Sequence, residues 1–184
     1  MGKVYEAIDG RLRDFVVSQP MFFVATAPSG SSGHINISPK GGIGCLAVLD
    51  GHRVAYLDYT GSGVETIAHL RENGRITLML CAFHGPPKIV RLHGHGRMVT
   101  PMNADFPPLL AAFPGQRVRG LRCIIEVAVE RVSDSCGYQV PLLTYEGDRD
   151  LLTRWTEQKS DEELTHYRRT HNGHSIDGLP TFVD

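Results

Sequence analysis

The run "GLRCIIEVAVERVS", from Gly120 to Ser133, constrains the fold more than any other stretch. Leu121, Cys123, Ile125, Val127 and Val129 recur at every second position, and Arg122, Glu126 and Glu130 fall between them. A period of two is the signature of a β-strand with one buried and one wetter face. A strand of that length cannot stand alone, so the chain must supply partners for it. It does. "MFFVATA" (Met21 to Ala27) reads as a buried strand, and "HINIS" alternates until Pro39-Lys40-Gly41-Gly42 stops it. "GCLAVLD" and "RVAYLDY" flank Asp50-Gly51-His52, a strong hairpin signal. "RITLMLCAF" and "KIVRLHGHGRMV" complete the set.

Helices are few. "VYEAIDGRLRDFVV" spaces Ile8, Leu12 and Phe15 as an amphipathic helix ended by Pro20. "VETIAHLREN" predicts a second. "NADFPPLLAAF" predicts a short one interrupted by Pro107-Pro108. "DRDLLTRWTEQ" and "DEELTHYRRTH" predict two more, the last opened by a capping box at Ser160-x-x-Glu163. Strands with short connections and no regular strand–helix alternation exclude a doubly wound parallel sheet. They point to a mainly β protein, an antiparallel barrel with peripheral helices. The 184 residues make one domain, with a barrel core over about 20–133 and a C-terminal helical extension over about 148–184.

Bulk properties narrow the function. A formal charge of −1 offers no general grip on nucleic acid. No apolar run approaches the roughly 20 residues of a membrane span, and "MGKVYEAIDGRL" has no signal-peptide core. A cytoplasmic protein is expected. The four cysteines, Cys45, Cys81, Cys123 and Cys136, form no C-x-x-C pair, and only Cys136 reads as a loop residue.

Three stretches carry candidate chemistry. "YLDYTGSGVETIAHLREN" breaks from strand to helix at Gly61-Ser62-Gly63. Free N–H groups at a helix start, with Ser62 and Thr66 hydroxyls, suit a phosphate. Ser62-x-x-Glu65 equally reads as a capping box, which would set a carboxylate on the same helix end. "NISPK" places Asn36, Ser38 and Lys40 on one strand face. Alternation in Ile89 to Val99 groups Arg91, His93, His95 and Arg97. Arg91 is a candidate anion contact. His93 and His95 supply too few ligands for a structural zinc site, so no metal is expected. No Ser-His-Asp or Cys-His-Asn order and no carboxylate pair stands out.

"HINISPKGG", then "VAYLDYTGSGVETIAHLRENGRITLML", then "PPKIVRLHGHGRMV", resembles in order the pyridoxamine-5′-phosphate-oxidase-like family of split β-barrel flavoproteins. The later "SCGYQVPLLTYEGDRDLLTRW…HSIDGLPTF" looks like the C-terminal part of one bacterial subgroup. The resemblance implies a homodimer with FMN at the subunit interface and flavin redox chemistry. A deazaflavin coenzyme or haem replaces FMN in some relatives. It implies cofactor contacts from Lys40, Tyr59, Thr60 and Arg91, with Asn36, Ser38, Ser62, Gly63, Glu65 and Thr66 around them. Ile35 stands where the family has an arginine, Glu65 and Thr66 replace an Arg-Lys pair, and Ile89 replaces a glutamine. The resemblance implies an FMN-dependent oxidoreductase acting on a small molecule, or a non-catalytic flavin, deazaflavin or haem carrier, and those departures argue against an authentic pyridoxamine-phosphate oxidase.

Overall fold

The computed structural model describes residues 2–182. In chain order its elements are β1 (Val4–Tyr5), α1 (Gly10–Ser18), β2 (Met21–Thr26), β3 (Asn36–Gly41), β4 (Leu46–Asp50), β5 (Arg53–Tyr59) and α2 (Glu65–Glu72). They continue with β6 (Arg75–Cys81), β7 (Ile89–Val99), α3 (Phe106–Leu110), β8 (Leu121–Ser135), α4 (Leu151–Glu157) and α5 (Asp161–His171). One antiparallel sheet runs β3-β2-β6-β7-β8-β5-β4, with β1 added to the far end of β8. Strands β3 and β4 are its edges, and the sheet curls into a split barrel.

The inner face is lined by Phe22, Val24, Tyr56, Leu78, Leu92, Ile125 and Val127, and α2 lays Ile67 and Leu70 into it, with Val64 just before the helix. The other face of β5 and β8 is also covered. Ala55, Leu57, Val99 and Ile124 pack there beneath Phe106, Leu109 and Phe113. The alternation in β8 therefore does not separate core from solvent. Arg122 and Glu126, expected on a wetter face, are 4% and 7% exposed. Two layers cover this strand, and its charges are satisfied by ion pairs within them.

Other departures have local causes. Helix α1 begins at Gly10, because the Asp9 carboxylate accepts from Leu12 N at 2.9 Å and caps it. Residues Val4–Tyr5 are consequently a strand and not the first helical turn. Pro39 does not stop β3, which continues to Gly41; an edge strand tolerates a missing N–H. Pro107 and Pro108 open α3 and do not interrupt it, since first-turn N–H groups have no helical partner to lose. The hairpin at Asp50–His52 and the Ser160–Glu163 capping box form as read. At the β7–β8 bulge, Gly94 passes so close to β8 that a Cβ would lie 1.9 Å from Ala128 O.

Candidate functional site

The strand β3 organises the site. Its residues pair with β2 as Lys40 with Phe22, Ser38 with Val24 and Asn36 with Thr26. Phe22 and Val24 face the core, so Asn36, Ser38 and Lys40 face inward too. A polar chain runs along this row. Ser38 Oγ donates to Asn36 Oδ1 at 3.0 Å. Asn36 Nδ2 donates to Thr26 Oγ1 at 3.2 Å and to Thr66 Oγ1 at 3.1 Å. Thr26 Oγ1 then meets Nδ1 of the buried His69 at 2.9 Å. Burial pushes the His69 imidazole below its usual pKa, against the raising effect of Asp177, Glu72 and Glu65.

At the other end of the row, Lys40 Nζ lies 2.6 Å from Asp58 Oδ1, and Arg122 Nε lies 2.5 Å from Asp58 Oδ2. Asp58 is 2% exposed. Burial opposes its ionisation, but Lys40 and Arg122 together outweigh burial and lower its pKa to about 2. Sequence reasoning missed this triad. Its only signal was one acid and one base standing inside otherwise apolar strands, Asp58 in "VAYLDY" and Arg122 in "LRCII". Only the cross-strand register of β5 and β8 reveals that they meet.

Arg122 also organises the glycine loop. Its Nη2 donates to Gly63 O at 2.5 Å and its Nη1 to Gly61 O at 3.5 Å and to Asn172 Oδ1 at 3.1 Å. Asn172 Nδ2 donates to Gly61 O at 2.9 Å. The loop's carbonyls are thus pinned inward by Arg122 and by the C-terminal extension. Among the described residues no peptide bond is cis, and in a trans peptide the N–H opposes its C=O. The N–H groups of Ser62 and Val64 consequently point away from Arg122. The Val64 N–H is taken by Glu65 Oε2 at 3.0 Å. The expected capping box does not form: Val64, not Ser62, is the N-cap, and no side chain caps it from Ser62. Glu65 folds back over the start of its own helix.

The structure distributes the sequence-predicted residues over two hollows. Asn36, Ser62, Gly63 and Glu65, with Ile35, Ile37 and Ile176, line a shallow pocket of about 450 Å³. Lys40 and Tyr59 line a larger cleft of about 570 Å³, walled by Pro39, Phe83, Arg117, Leu143 and Tyr145 among others. Thr60 is buried, and its hydroxyl accepts from Arg168 Nε at 2.8 Å. Thr66 is buried against Asn36. Arg91 stands apart: it pairs with Met79, which pairs with Phe23 and through it with Pro39. That row faces the opposite side of the sheet from Lys40, and Arg91 Nη1 donates to Ser135 Oγ at 3.1 Å. Cys45, Cys81 and Cys123 are buried and Cys136 is exposed. Among the described residues no cluster of three or more His, Cys, Asp or Glu is arranged to hold a metal, and no helix is long and apolar enough to cross a membrane.

The donor set suits a flavin phosphate in one respect and resists it in another. Outward N–H groups on a loop backed by the Arg122 cation are the chemistry an anion needs, and they fit the group. The Glu65 carboxylate already uses one of them.

Comparison with known proteins identifies the family and the fold. The family model described as pyridoxamine 5′-phosphate oxidase matches residues 8–136. A protein of Aspergillus flavus named pyridoxamine 5′-phosphate oxidase family protein ustO is 38% identical over 190 residues, covering 96% of this chain and 76% of that one. The crystal structure of HupZ from Group A Streptococcus superposes with a TM-score of 0.55 at 22% identity, over 68% of this chain and 91% of that chain. The FAD binding protein from Mycobacterium smegmatis gives 0.51 at 14% identity, over 72% and 96%. At such identities these two structures speak for the fold alone. The family match over most of the barrel, and a relative aligned along nearly the whole chain, establish that this chain belongs to the pyridoxamine 5′-phosphate oxidase family.

Proposed function

We infer that the protein is an FMN-dependent oxidoreductase acting on a small molecule. The observation that carries this reading is the layout of β3. Asn36 lines the loop pocket and Lys40 lines the cleft. They stand four positions apart, about 13 Å along a strand at ~3.3 Å per residue. That span matches a ligand with a phosphate at one end and a flat ring at the other. Ser62, Gly63 and Val64 would hold the phosphate through backbone N–H groups, with Glu65 turned aside. Lys40 would stand near the ring system, where reduction places negative charge. Bound flavin supplies the hydride or electron transfer through its N5, and the protein contributes orientation, electrostatics and exclusion of water.

The assembly is proposed to be a homodimer with the cofactor between subunits. Ile37, on the edge strand β3, and Ile35, just before it, support this, being 67% and 75% exposed. Isolated apolar side chains on an open edge are a pairing hazard unless a partner covers them. Arg91, on the opposite face from Lys40, would reach a cofactor only across such an interface.

The test is an absorbance spectrum of the purified protein, with mass spectrometry of what heat releases, then titration of stripped protein with FMN. Flavin bands that bleach with a reduced nicotinamide donor are expected. A Soret band would replace the flavin by haem, and uptake of deazaflavin alone would replace it by that coenzyme. A colourless protein that takes up no FMN would overturn the assignment.

A further inference from the structure

We propose that the open edge of β4 is a docking site for an extended peptide, which joins the sheet as a further strand and sets one acidic side chain against Arg13. The inference goes beyond the flavin reading and does not depend on it. That reading rests on β3, and β3 and β4 are opposite edges of the sheet.

Backbone direction along β4 carries the argument. Cys45 stands opposite Leu57, one position before the Leu46–Tyr56 pair, and its carbonyl accepts from Leu57 N at 3.0 Å. In an antiparallel ladder, opposed residues alternate between bonded and unbonded pairs. Ala47 with Ala55 is therefore the next bonded pair, and Leu46 and Val48 turn their N–H and C=O groups away from β5. No strand pairs with β4 on that side, and among the described residues no other group bonds these four. Leu46 and Val48 bury their side chains in the barrel core. Both nevertheless line a groove of about 740 Å³, so they meet it through their backbone.

The shape of the groove selects a single chain. Arg13 and Val17 of α1 form one wall, and Pro108, Leu109 and Ala112 of α3 form the other. Ile8 N donates to Gly51 O at 2.8 Å, which fastens the approach to α1 onto the β4–β5 hairpin. Leu109 packs with Phe106 into the outer layer. An edge recessed between two helices is shielded from the edge of another sheet, the common hazard of an unpaired strand. One extended peptide is narrow enough to lie there and take up the free backbone groups.

Charge selects among peptides. Arg53 pairs with Asp50 at 2.7 Å and with Glu126 at 3.2 Å. Arg97 pairs with Asp105 at 2.8 Å and with Glu126 at 2.5 Å. These two cations are satisfied by the protein's own carboxylates. Arg13 is exposed, lines the groove and forms no ion pair among the described residues. On the α3 side, Ala47 and Leu49 present apolar side chains. Strand side chains alternate between faces. The fitting peptide therefore carries an acidic residue toward α1, flanked by apolar residues that face α3.

The test is amide hydrogen exchange of the full chain, read by NMR, with millimolar acetyl-Ser-Val-Glu-Val-Ser-amide as the probe. Without it, the Leu46 and Val48 amides should exchange at least about tenfold faster than that of Ala47, which bonds to β5. The probe should slow both at least about tenfold. Its lysine counterpart, acetyl-Ser-Val-Lys-Val-Ser-amide, should bind about fivefold more weakly, and Arg13→Glu should reverse that order. Val48→Pro removes one edge donor and leaves the β5 ladder intact, as edge strands tolerate; it should weaken the probe about fivefold. Where that variant does not fold, the N-methylated probe puts the same question to the natural chain, since it donates no backbone hydrogen bond and should fail to bind. Leu46 and Val48 amides as protected as Ala47 in the free chain, undiminished binding of the N-methylated probe, or a charge order that Arg13→Glu leaves intact would overturn the site. Protection that grows with protein concentration in the absence of peptide would give the edge to a second copy, and would overturn it too.

Discussion

Replacing Asp58 by asparagine should cost stability in a pH-dependent way, and the size follows from the triad. The Asp58 carboxyl drops from an unfolded value of 3.8 to about 2 in the folded chain. At ~1.36 kcal/mol per pKa unit, that lowering corresponds to roughly 2 kcal/mol. Because the folded value is the depressed one, this contribution is fully present above pH 3.8. It is lost as pH falls through the folded value near 2. Substitution does more than remove this contribution, since it strands Arg122 (3% exposed side chain) and Lys40 (21%) without their carboxylate. Breaking a buried pair from one side typically costs about 3–5 kcal/mol. In a chain of this size that lowers Tm by about 6–20 °C. The assay is urea unfolding of the natural chain and Asp58→Asn, from pH 7 down to pH 2.5. The gap between them should be widest near neutrality and narrow below pH 4. Asp50→Asn is the contrast: its pair with Arg53 is about half exposed and should contribute under about 1 kcal/mol. A gap that stays constant from pH 7 to 2.5, or an Asp58→Asn chain as stable as the natural one, would refute the view that the triad holds β3, β5 and β8 together.

Three further expectations are independent of that one. Glu65→Gln leaves a hydrogen-bond acceptor over Val64 but removes the charge; FMN should bind about fivefold tighter, equivalent to ~1 kcal/mol, while riboflavin is unchanged. A fluorescence titration showing equal gains for both flavins would separate Glu65 from the phosphate. Gly120→Ala forces a side chain into positive φ and against Thr156; a loss of about 1–3 kcal/mol is expected in thermal unfolding. A thiol reagent at pH 8 should label only Cys136 in the folded protein, since the other three cysteines are buried, and rapid labelling of a second thiol would show that the barrel opens.

Much of the fold could be read from local pattern. The hairpin at Asp50–His52, the capping box at Ser160, and the inward row of β7 at Val90, Leu92 and Gly94 each depend on residues a few positions apart. The errors share a cause. By their own chemistry Arg122 and Glu126 are outward charges and Pro39 is a strand breaker. Their environment comes from distant residues: Asp58 lies 64 positions from Arg122, and Glu126 meets Arg97 and Arg53 from two other strands. The loop was equally ambiguous. Ser62, Gly63 and Glu65 fitted two structures, and which way the carbonyls turned was decided by Arg122 and by Asn172, 111 positions beyond Gly61.

By itself the sequence determined the strands, the order of motifs along them, and the family they belong to. Strand period, turn residues and helix caps are local quantities that the chain carries wherever it folds. Tertiary structure decided how the charges are used. A guanidinium or carboxylate has the same formula in any strand, and its role depends on which neighbours enter its few ångströms of low-dielectric surroundings. Packing β8 under a second layer made Arg122 an internal brace for Asp58 and the glycine loop. Folding the extension back placed Thr156 against Arg117. The two arginines stand five positions apart in "RVRGLR", one consumed inside the fold by Asp58 and the glycine loop, the other stacked on Tyr59 at the wall of the cleft.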